Sequence, residues 1–239
     1  MEENINKSIE SYLEGDYQKF KNYERIKFLT KNLCQYIDKK KNYKLLDLGC
    51  SKGEIIYSIK EKFDNVIDFT GIDISRELIK KAQGENFLKS VRFIEDDIST
   101  FSLNEKFDLV VMSGVLSIFD DYENFLLNAI KHMKKNSVGF VFSAFNKQDI
   151  DVIIRYRNNF IGSNQWESGW NLFSLKGIKK FLIKYSQQVK IIPFHLQNKI
   201  EQKENPVLSY TVETKNESNL ILTGGNIVRD FYLIVFKTK

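Results

Sequence analysis

The residues best suited to chemistry form a glycine-containing turn, DLGCSKG, at residues 47–53. Gly49 and Gly53 let the backbone approach a ligand that side chains would block. The helix predicted after the turn presents unpaired N–H groups, which can bind a carboxylate or a phosphate. Asp47 adds a negative charge at the strand end, and this charge suits an ammonium or sulfonium group better than phosphates. The turn therefore indicates a site for a ligand that carries such a group.

The same turn departs from the dinucleotide-binding fingerprint. That fingerprint, G-x-G-x-x-G, requires glycine where this sequence has Ser51 and Glu54. The Tyr-x-x-x-Lys spacings that begin at Tyr17 and Tyr36 precede the first predicted strand, which is the wrong place for a short-chain dehydrogenase. A nucleotide-dependent oxidoreductase is therefore the less favoured enzyme hypothesis.

Two further acidic positions stand where later strands are predicted to end. Asp73, in GIDIS, has two oxygens that can accept hydrogen bonds from both hydroxyls of a ribose. Asp97, in EDDIS, offers a carboxylate to an exocyclic amine, and Asp96 beside it is the alternative. Groups that bind ribose and adenine are thus predicted at successive strand ends.

Alternating strands and helices must position these residues. Strands are predicted at residues 44–48, 67–72, 91–95, 107–113, 138–145, 189–194 and 231–236. Helices are predicted at residues 17–38, 53–63, 75–83, 122–133, 148–158 and 175–185. Because the apolar strands lack a polar face, we expect an α/β fold with a doubly wound, mostly parallel sheet and helices on both faces.

Length and composition favour one domain over residues 1–239. The chain has 239 residues and is 42% hydrophobic, which is enough for one core. Its net charge of +5 comes from interspersed Lys and Glu, so nucleic-acid binding is disfavoured. Cys34 and Cys50 have no metal-type spacing, and no stretch approaches the roughly 18 apolar residues of a membrane span. We expect a cytoplasmic protein without a metal, and abundant Ile, Lys and Asn suggest a bacterial source.

Four segments, LLDLGCSKGE, GIDIS, EDDIS and FDLVVMSGVL, resemble the successive motifs of class I S-adenosylmethionine-dependent methyltransferases. The resemblance spans residues 44–145, the expected cofactor-binding core, and Ser51 replaces the family's usual glycine. It implies a Rossmann-like sheet of seven strands that ends in an antiparallel hairpin, formed here by residues 189–194 and 231–236. It also implies S-adenosylmethionine as cofactor and S-adenosylhomocysteine as product.

The resemblance assigns roles to individual positions. The methionine part would be lined by Gly49, Cys50, Ser51 and Gly53, with Asp47 near its amino group. The ribose would be held by Asp73, and the adenine by Ile74, Asp97 and Ile98. The sulfonium centre would face Ser113 and Gly114.

The acceptor side is less defined by the sequence. Residues 1–43 are expected to form an N-terminal helical cover, and residues 146–239 would supply substrate-side helices, an insertion and the terminal strands. Residues 196–225 of that insertion are a candidate lid. Candidate substrate contacts are Tyr17, Tyr23, Arg155, Trp166 and Trp170. Candidate general bases are His195, Asp120 and Asp121, whereas His132 is expected to face solvent.

Together these features predict a methyltransferase that acts on a small molecule. The expected acceptor is anionic or sugar-linked, with Arg155, Arg157 and Arg229 available to pair with an acidic group. O-methylation by in-line displacement is expected, and a carboxylate or phosphate oxygen would need no base. The alternative from another class is a non-catalytic partner protein that binds S-adenosylmethionine.

Overall fold

A mixed β-sheet forms the centre of the computed structural model, which describes residues 16–214 and 219–239. Five parallel strands occupy one side in the order β3-β2-β1-β4-β5. Their bounds are β1 Tyr43–Leu48, β2 Ile67–Asp73, β3 Arg92–Glu95, β4 Phe107–Ser113 and β5 Met133–Asn146. The predicted doubly wound parallel arrangement is confirmed.

Two long strands complete the other side of the sheet. Strand β12 (Asp230–Thr238) runs antiparallel to both β5 and β9 (Ser186–Phe194), so the predicted terminal hairpin is present. An eighth, two-residue strand, β8 (Phe173–Ser174), pairs with the end of β5 and was not predicted. Because β12 is antiparallel, its first residues lie at the same edge as the last residues of β5 and β9.

Successive residues of the central strands point into two separate cores, as the alternation of a strand requires. Leu45 belongs to one core, which is shared with helices α2 (Glu24–Cys34), α3 (Glu54–Phe63) and α4 (Arg76–Gly84). Leu46 belongs to the other, which is shared with α5 (Glu123–Lys131) and α6 (Leu175–Ile183). Helices thus cover both faces, as expected.

The N-terminal cover differs in detail from the prediction. Two helices, α1 (Tyr17–Phe20) and α2, replace the single helix expected over residues 17–38. The break occurs at Tyr23, whose backbone is extended directly before the first residue of α2. The sequence did not predict this break, because no glycine or proline stands there. Residues 1–15 of the expected cover lie outside the described residues.

The segment after β5 was predicted wrongly as a helix over residues 148–158. Instead, β6 (Arg155–Tyr156) pairs with β7 (Glu167–Ser168), and Val152 forms a bridge to Leu172. The β-branched run at residues 152–154 is consistent with this outcome, because such residues favour extended backbone. The helical periodicity was overridden by tertiary pairing.

The insertion between β9 and β12 contains a small hairpin of β10 (Tyr210–Val212) and β11 (Leu220–Leu222). Residues 215–218 of this candidate lid lie outside the described part of the chain. Within residues 16–214 and 219–239, every helix is too short or too polar to cross a bilayer.

Candidate active site

The glycine-rich turn between β1 and α3 is shaped by close backbone contacts. Gly49 and Gly53 have φ values of 70° and 83°, in the left-handed region that favours glycine. A Cβ atom on Gly49 would lie 2.3 Å from Cγ2 of Val115, in the loop after β4. Glycine is therefore required at position 49 by its conformation and by its neighbour.

Ser51 adopts the conformation expected of the glycine that it replaces. Its φ is 52°, and its backbone N–H donates to Asp73 Oδ2 over 2.8 Å. Its hydroxyl oxygen is buried without a hydrogen-bond partner among the described residues. The turn therefore keeps its shape at the cost of backbone strain and one unsatisfied hydroxyl.

Asp47 is the most unusual acid of the site. Its side chain is 1% exposed, and neither carboxylate oxygen has a hydrogen-bond partner within the described chain. Burial, with smaller contributions from the nearby carboxylates of Glu54 and Asp73, raises the pKa of Asp47 to about 8. An unpaired buried carboxylate is costly, so this position suits a cationic ligand group.

Asp73 ends β2 beside the same turn. Its Oδ1 accepts from the Ser75 N–H over 2.9 Å, while Oδ2 accepts from Ser51. Burial raises the pKa of Asp73, and the backbone N–H bonds oppose that shift. Each carboxylate oxygen can accept more than one hydrogen bond, so ribose hydroxyls could still be bound. Ile74 follows with 45% of its side chain exposed, which leaves an apolar surface for a ring.

The acids after β3 are engaged in local turns. Asp97 Oδ1 accepts from the N–H and hydroxyl of Ser99, at 2.8 and 2.7 Å, and Asp96 Oδ1 accepts from the Asp97 N–H. The Ile98 side chain is buried in the core, so a ring at this position would meet its backbone instead. These contacts neither select Asp97 over Asp96 nor remove either from the candidate site.

Gly114 lies open at the end of β4, next to half-buried Ser113. Its φ is 74°, its N–H donates to the Phe142 carbonyl over 2.7 Å, and a Cβ atom there would meet nothing within 4 Å. The structure thus brings the candidate cofactor residues of all four motifs to one edge of the sheet.

The two candidate tyrosines occupy different environments. Tyr17 is buried, its hydroxyl donates to the Lys52 carbonyl over 2.8 Å, and its ring stacks on Tyr57 at 5.0 Å between centroids. Tyr17 therefore supports the glycine-rich turn. Tyr23 is exposed at the start of α2.

Arg155 and Asp120, both predicted to act on the acceptor, form an ion pair with each other. Arg155 also donates to the Ser168 hydroxyl over 3.1 Å, and Asn171 donates to Asp120 Oδ1 over 3.0 Å. Asp121 accepts hydrogen bonds from the Glu123 N–H and the Asn124 side chain at the start of α5. These acids have clear structural partners.

The two candidate tryptophans also differ. Trp166 is 65% exposed, with the Arg157 guanidinium 5.8 Å from its ring centre. Trp170 has a φ of 47° and stacks on Tyr156 at 6.1 Å with an interplanar angle of 14°. The Arg229 guanidinium lies 5.5 Å from the Trp170 ring centre. Trp170 therefore belongs to an ordered cluster, whereas Trp166 lies at the surface.

The two histidines lie in different environments. His195 is exposed directly after β9. His132 is buried, contrary to the prediction, because its Nε2 accepts from the Leu103 N–H over 3.1 Å and its Nδ1 lies 2.8 Å from the Asn128 carbonyl. The Nε2 contact holds the end of α5 against the loop before β4, whereas the Nδ1 contact stays within the last turn of α5, so His132 is a structural residue.

Three residues were missed by sequence reasoning. Buried Asn171 donates to the Phe119 carbonyl over 2.7 Å and accepts from the Ile154 N–H over 2.8 Å, which joins the loops after β4 and β5. Glu24 accepts from the N–H groups of Gln197 and Asn198, at 2.8 and 2.7 Å. Glu167, on β7, is buried beside Tyr156. The hydrogen-bond partners of these residues lie in other segments of the chain, so the spacing of neighbouring residues gave no signal for these roles.

Comparison with known proteins identifies the family. A protein-family model described as a methyltransferase domain matches residues 39–191 of the chain. The chain therefore belongs to this methyltransferase family, and its Rossmann-like fold is that of class I S-adenosylmethionine-dependent methyltransferases. This match confirms the resemblance carried by the four motifs.

Individual relatives are distant. The chain is 24% identical over 105 residues to the malonyl-[acyl-carrier protein] O-methyltransferase of Bacillus anthracis, covering 44% of this chain and 38% of that protein. It is 25% identical over 176 residues to the ubiquinone biosynthesis O-methyltransferase of Rickettsia conorii, covering 74% and 57%. The chain thus spans less than two thirds of the length of these relatives.

Solved structures share the fold over a greater length. The N-methyltransferase NodS of Bradyrhizobium japonicum WM9, bound to S-adenosylhomocysteine, aligns with a TM-score of 0.61 and 16% identity over 98% of both chains. The glycopeptide N-methyltransferase MtfA, complexed with S-adenosylmethionine, aligns with a TM-score of 0.55 and 11% identity over 88% of this chain and 86% of its own. At sequence identities of 16% and 11%, these similarities show a shared fold.

Proposed function

We propose that the chain is an S-adenosylmethionine-dependent methyltransferase that acts on a small molecule and releases S-adenosylhomocysteine. The buried, unpartnered carboxylate of Asp47 beside the glycine-rich turn carries this proposal. The amino group of the cofactor would give this carboxylate a charge-assisted hydrogen bond. A pyrophosphate at the same place would supply no cation and would oppose the ionisation of Asp47 and Glu54.

The remaining groups of the edge fit the rest of the cofactor. The backbone of Gly49, Cys50, Ser51 and Gly53 borders the methionine part, and Asp73 accepts hydrogen bonds from the ribose. The exposed side chain of Ile74 packs on adenine, and Asp97 with the backbone at Ile98 takes its edge. Ser113 and open Gly114 border the sulfonium, where a larger side chain at 114 would fill the space.

The cofactor supplies a methyl group that is already activated by the positive sulfur. The chain's residues therefore act mainly by binding, orienting the acceptor and excluding water. The loop after β4, held by Asn171 and by the Arg155–Asp120 pair, forms one wall beside Gly114. The hydrogen-bond and ion-pair partners of Asp120 and Asp121 make these two residues poor bases. Either His195 acts as the base or the acceptor atom is one that needs no proton removal.

O-methylation of an anionic or sugar-linked acceptor is the specific reaction that we propose. Both curated relatives described above carry the name O-methyltransferase, whereas the two solved neighbours are named N-methyltransferases. The guanidinium of Arg229 lies beside Trp170 at the edge shared by β5 and β12, where it supports an acidic acceptor. Interspersed surface charge favours a small molecule over a nucleic acid.

Calorimetric titration with S-adenosylmethionine, S-adenosylhomocysteine and NADH tests the proposal. We expect both adenosyl ligands to bind the folded protein and NADH not to bind. Absence of both adenosyl complexes would refute the cofactor assignment. Binding without methyl transfer to any member of a broad acceptor panel, together with co-purification of a partner, would instead support a non-catalytic binding protein.

A further inference from the structure

Glu167 presents a buried carboxylate oxygen that the proposed mechanism does not use. The side chain is 7% exposed, and Oε2 accepts from the Tyr156 hydroxyl over 3.2 Å. Oε1 is buried without a hydrogen-bond partner among the described residues. Leaving a carboxylate oxygen unsatisfied in the interior is costly, so a donor from outside the described chain is the natural complement.

The β6–β7 hairpin places Glu167 on the acceptor side. Tyr156 and Glu167 are cross-strand neighbours and share one face of the hairpin, while Arg155 and Ser168 share the other. The second face contacts the loop after β4, because Arg155 pairs with Asp120. The first face carries the Tyr156–Trp170 stack toward Arg229, the residue that precedes β12.

The local packing holds this group in one arrangement. The Tyr156 ring lies directly over Gly169, where a Cβ atom would be 2.4 Å from ring carbon Cε1. Trp170 is held in the left-handed region, a strained conformation that clusters at functional sites. Burial and the negative charge of Glu167 raise the pKa of Tyr156 to about 12, so its hydroxyl stays protonated and continues to donate.

We infer that Glu167, with the rings of Tyr156 and Trp170, binds a protonated amine of the methyl acceptor. An ammonium group supplies both the missing hydrogen bond and the compensating charge, whereas a neutral hydroxyl supplies only the former. Adjacent aromatic faces also attract a cation. The inference rests on the proposed function, since the amine belongs to a molecule that receives a methyl group.

Arg229 extends the specificity of this subsite. Its guanidinium lies 5.5 Å from the Trp170 ring centre and 5.0 Å from that of Phe231, and it donates to the Ser209 hydroxyl over 3.1 Å. Positive and negative side chains thus stand at opposite ends of the Tyr156–Trp170 stack. An acceptor that carries an amine and a separate acidic group would meet complementary charges at both ends.

The test uses the full chain saturated with S-adenosylhomocysteine, so that Asp47 is already occupied. Benzylamine and its neutral counterpart benzyl alcohol are titrated as probes by calorimetry. We expect the amine to bind the wild-type protein about tenfold more tightly than the alcohol. Glu167→Gln should reduce that ratio to about one, whereas Glu61→Gln, at an exposed glutamate of α3, should leave it unchanged.

Equal affinity of the two probes for the wild-type protein would overturn the inference, and so would a full amine preference in Glu167→Gln. The wild-type ratio keeps the test decisive even if Glu167→Gln does not fold. Saturation with S-adenosylhomocysteine is measured first. Its failure would count against the cofactor assignment, whereas normal saturation with no amine preference would count only against the role of Glu167.

Discussion

The backbone N–H of Ser51 donates to Asp73 Oδ2 over 2.8 Å and fastens the glycine-rich turn to the end of β2. Asp73 also accepts from the Ser75 N–H, so the same carboxylate fixes the start of α4. The proposed ribose ligand is therefore a residue that already shapes the turn. Its position is fixed before any ligand arrives, which reduces the ordering that binding would require.

Asp73→Asn should weaken S-adenosylhomocysteine binding by about 1 to 3 kcal/mol, because one acceptor oxygen becomes a donor. Asp68→Asn, an exposed change on the same strand, is the matched control and should leave affinity unchanged. Calorimetry measures both variants after circular dichroism has confirmed their folding. Wild-type affinity in Asp73→Asn would refute the ribose assignment.

Asp47→Asn should stabilise the free protein while it weakens cofactor binding. The folded pKa of Asp47 is raised to about 8 from a usual value of 3.8, so only the unfolded chain releases this proton between those values. Stability from this group therefore falls as pH rises through that window. The advantage of Asp47→Asn in chemical denaturation should grow from pH 5 to about pH 8, by a total on the order of 4 kcal/mol. An advantage that does not change with pH would contradict this.

Cofactor binding should release about one proton near pH 7, because an ammonium partner favours the charged form of Asp47. Titrations in phosphate and Tris, which differ in ionisation enthalpy, report the number of protons released. The release should be absent in Asp47→Asn and should decline above pH 8. Equal apparent enthalpies in the two buffers at pH 7 would exclude this coupling.

Ser51→Gly should raise the free energy of unfolding by about 1 kcal/mol, because glycine adopts a positive φ without steric cost. The substitution also removes the buried hydroxyl and keeps the N–H that Asp73 accepts. Ser102→Gly, at an exposed residue outside the positive-φ region, should lower stability slightly. Thermal denaturation compares the two, and a loss of stability in Ser51→Gly would show that the serine side chain stabilises the turn.

The parallel core could be predicted from sequence because its signals are local and repeated. Phe107–Ser113 was predicted with its observed bounds. The helix predicted over residues 75–83 is α4, which Ser75 caps by accepting from the Leu78 N–H. The cofactor roles assigned to Asp47, Asp73 and their neighbours remain predictions, although the structure brings these residues to one edge.

The errors fall where distant contacts decide the structure. Periodicity favoured a helix over residues 148–158, but pairing of Tyr156 with Glu167 fixed an extended hairpin. The sequence pattern placed His132 on the solvent face of an amphipathic helix, but in the structure its ring accepts from the Leu103 N–H of another loop and is buried. Such partners leave no trace in the spacing of nearby residues.

Glu24 joins the N-terminal helices to the loop after β9 through two backbone N–H groups. The pieces of the cover thus come from parts of the chain 173 residues apart and meet at a single carboxylate. If the C-terminal insertion were grafted onto a related domain, it would bring the two N–H donors without the Glu24 carboxylate that accepts from them. Evolution of acceptor preference is therefore expected to change both chain segments together.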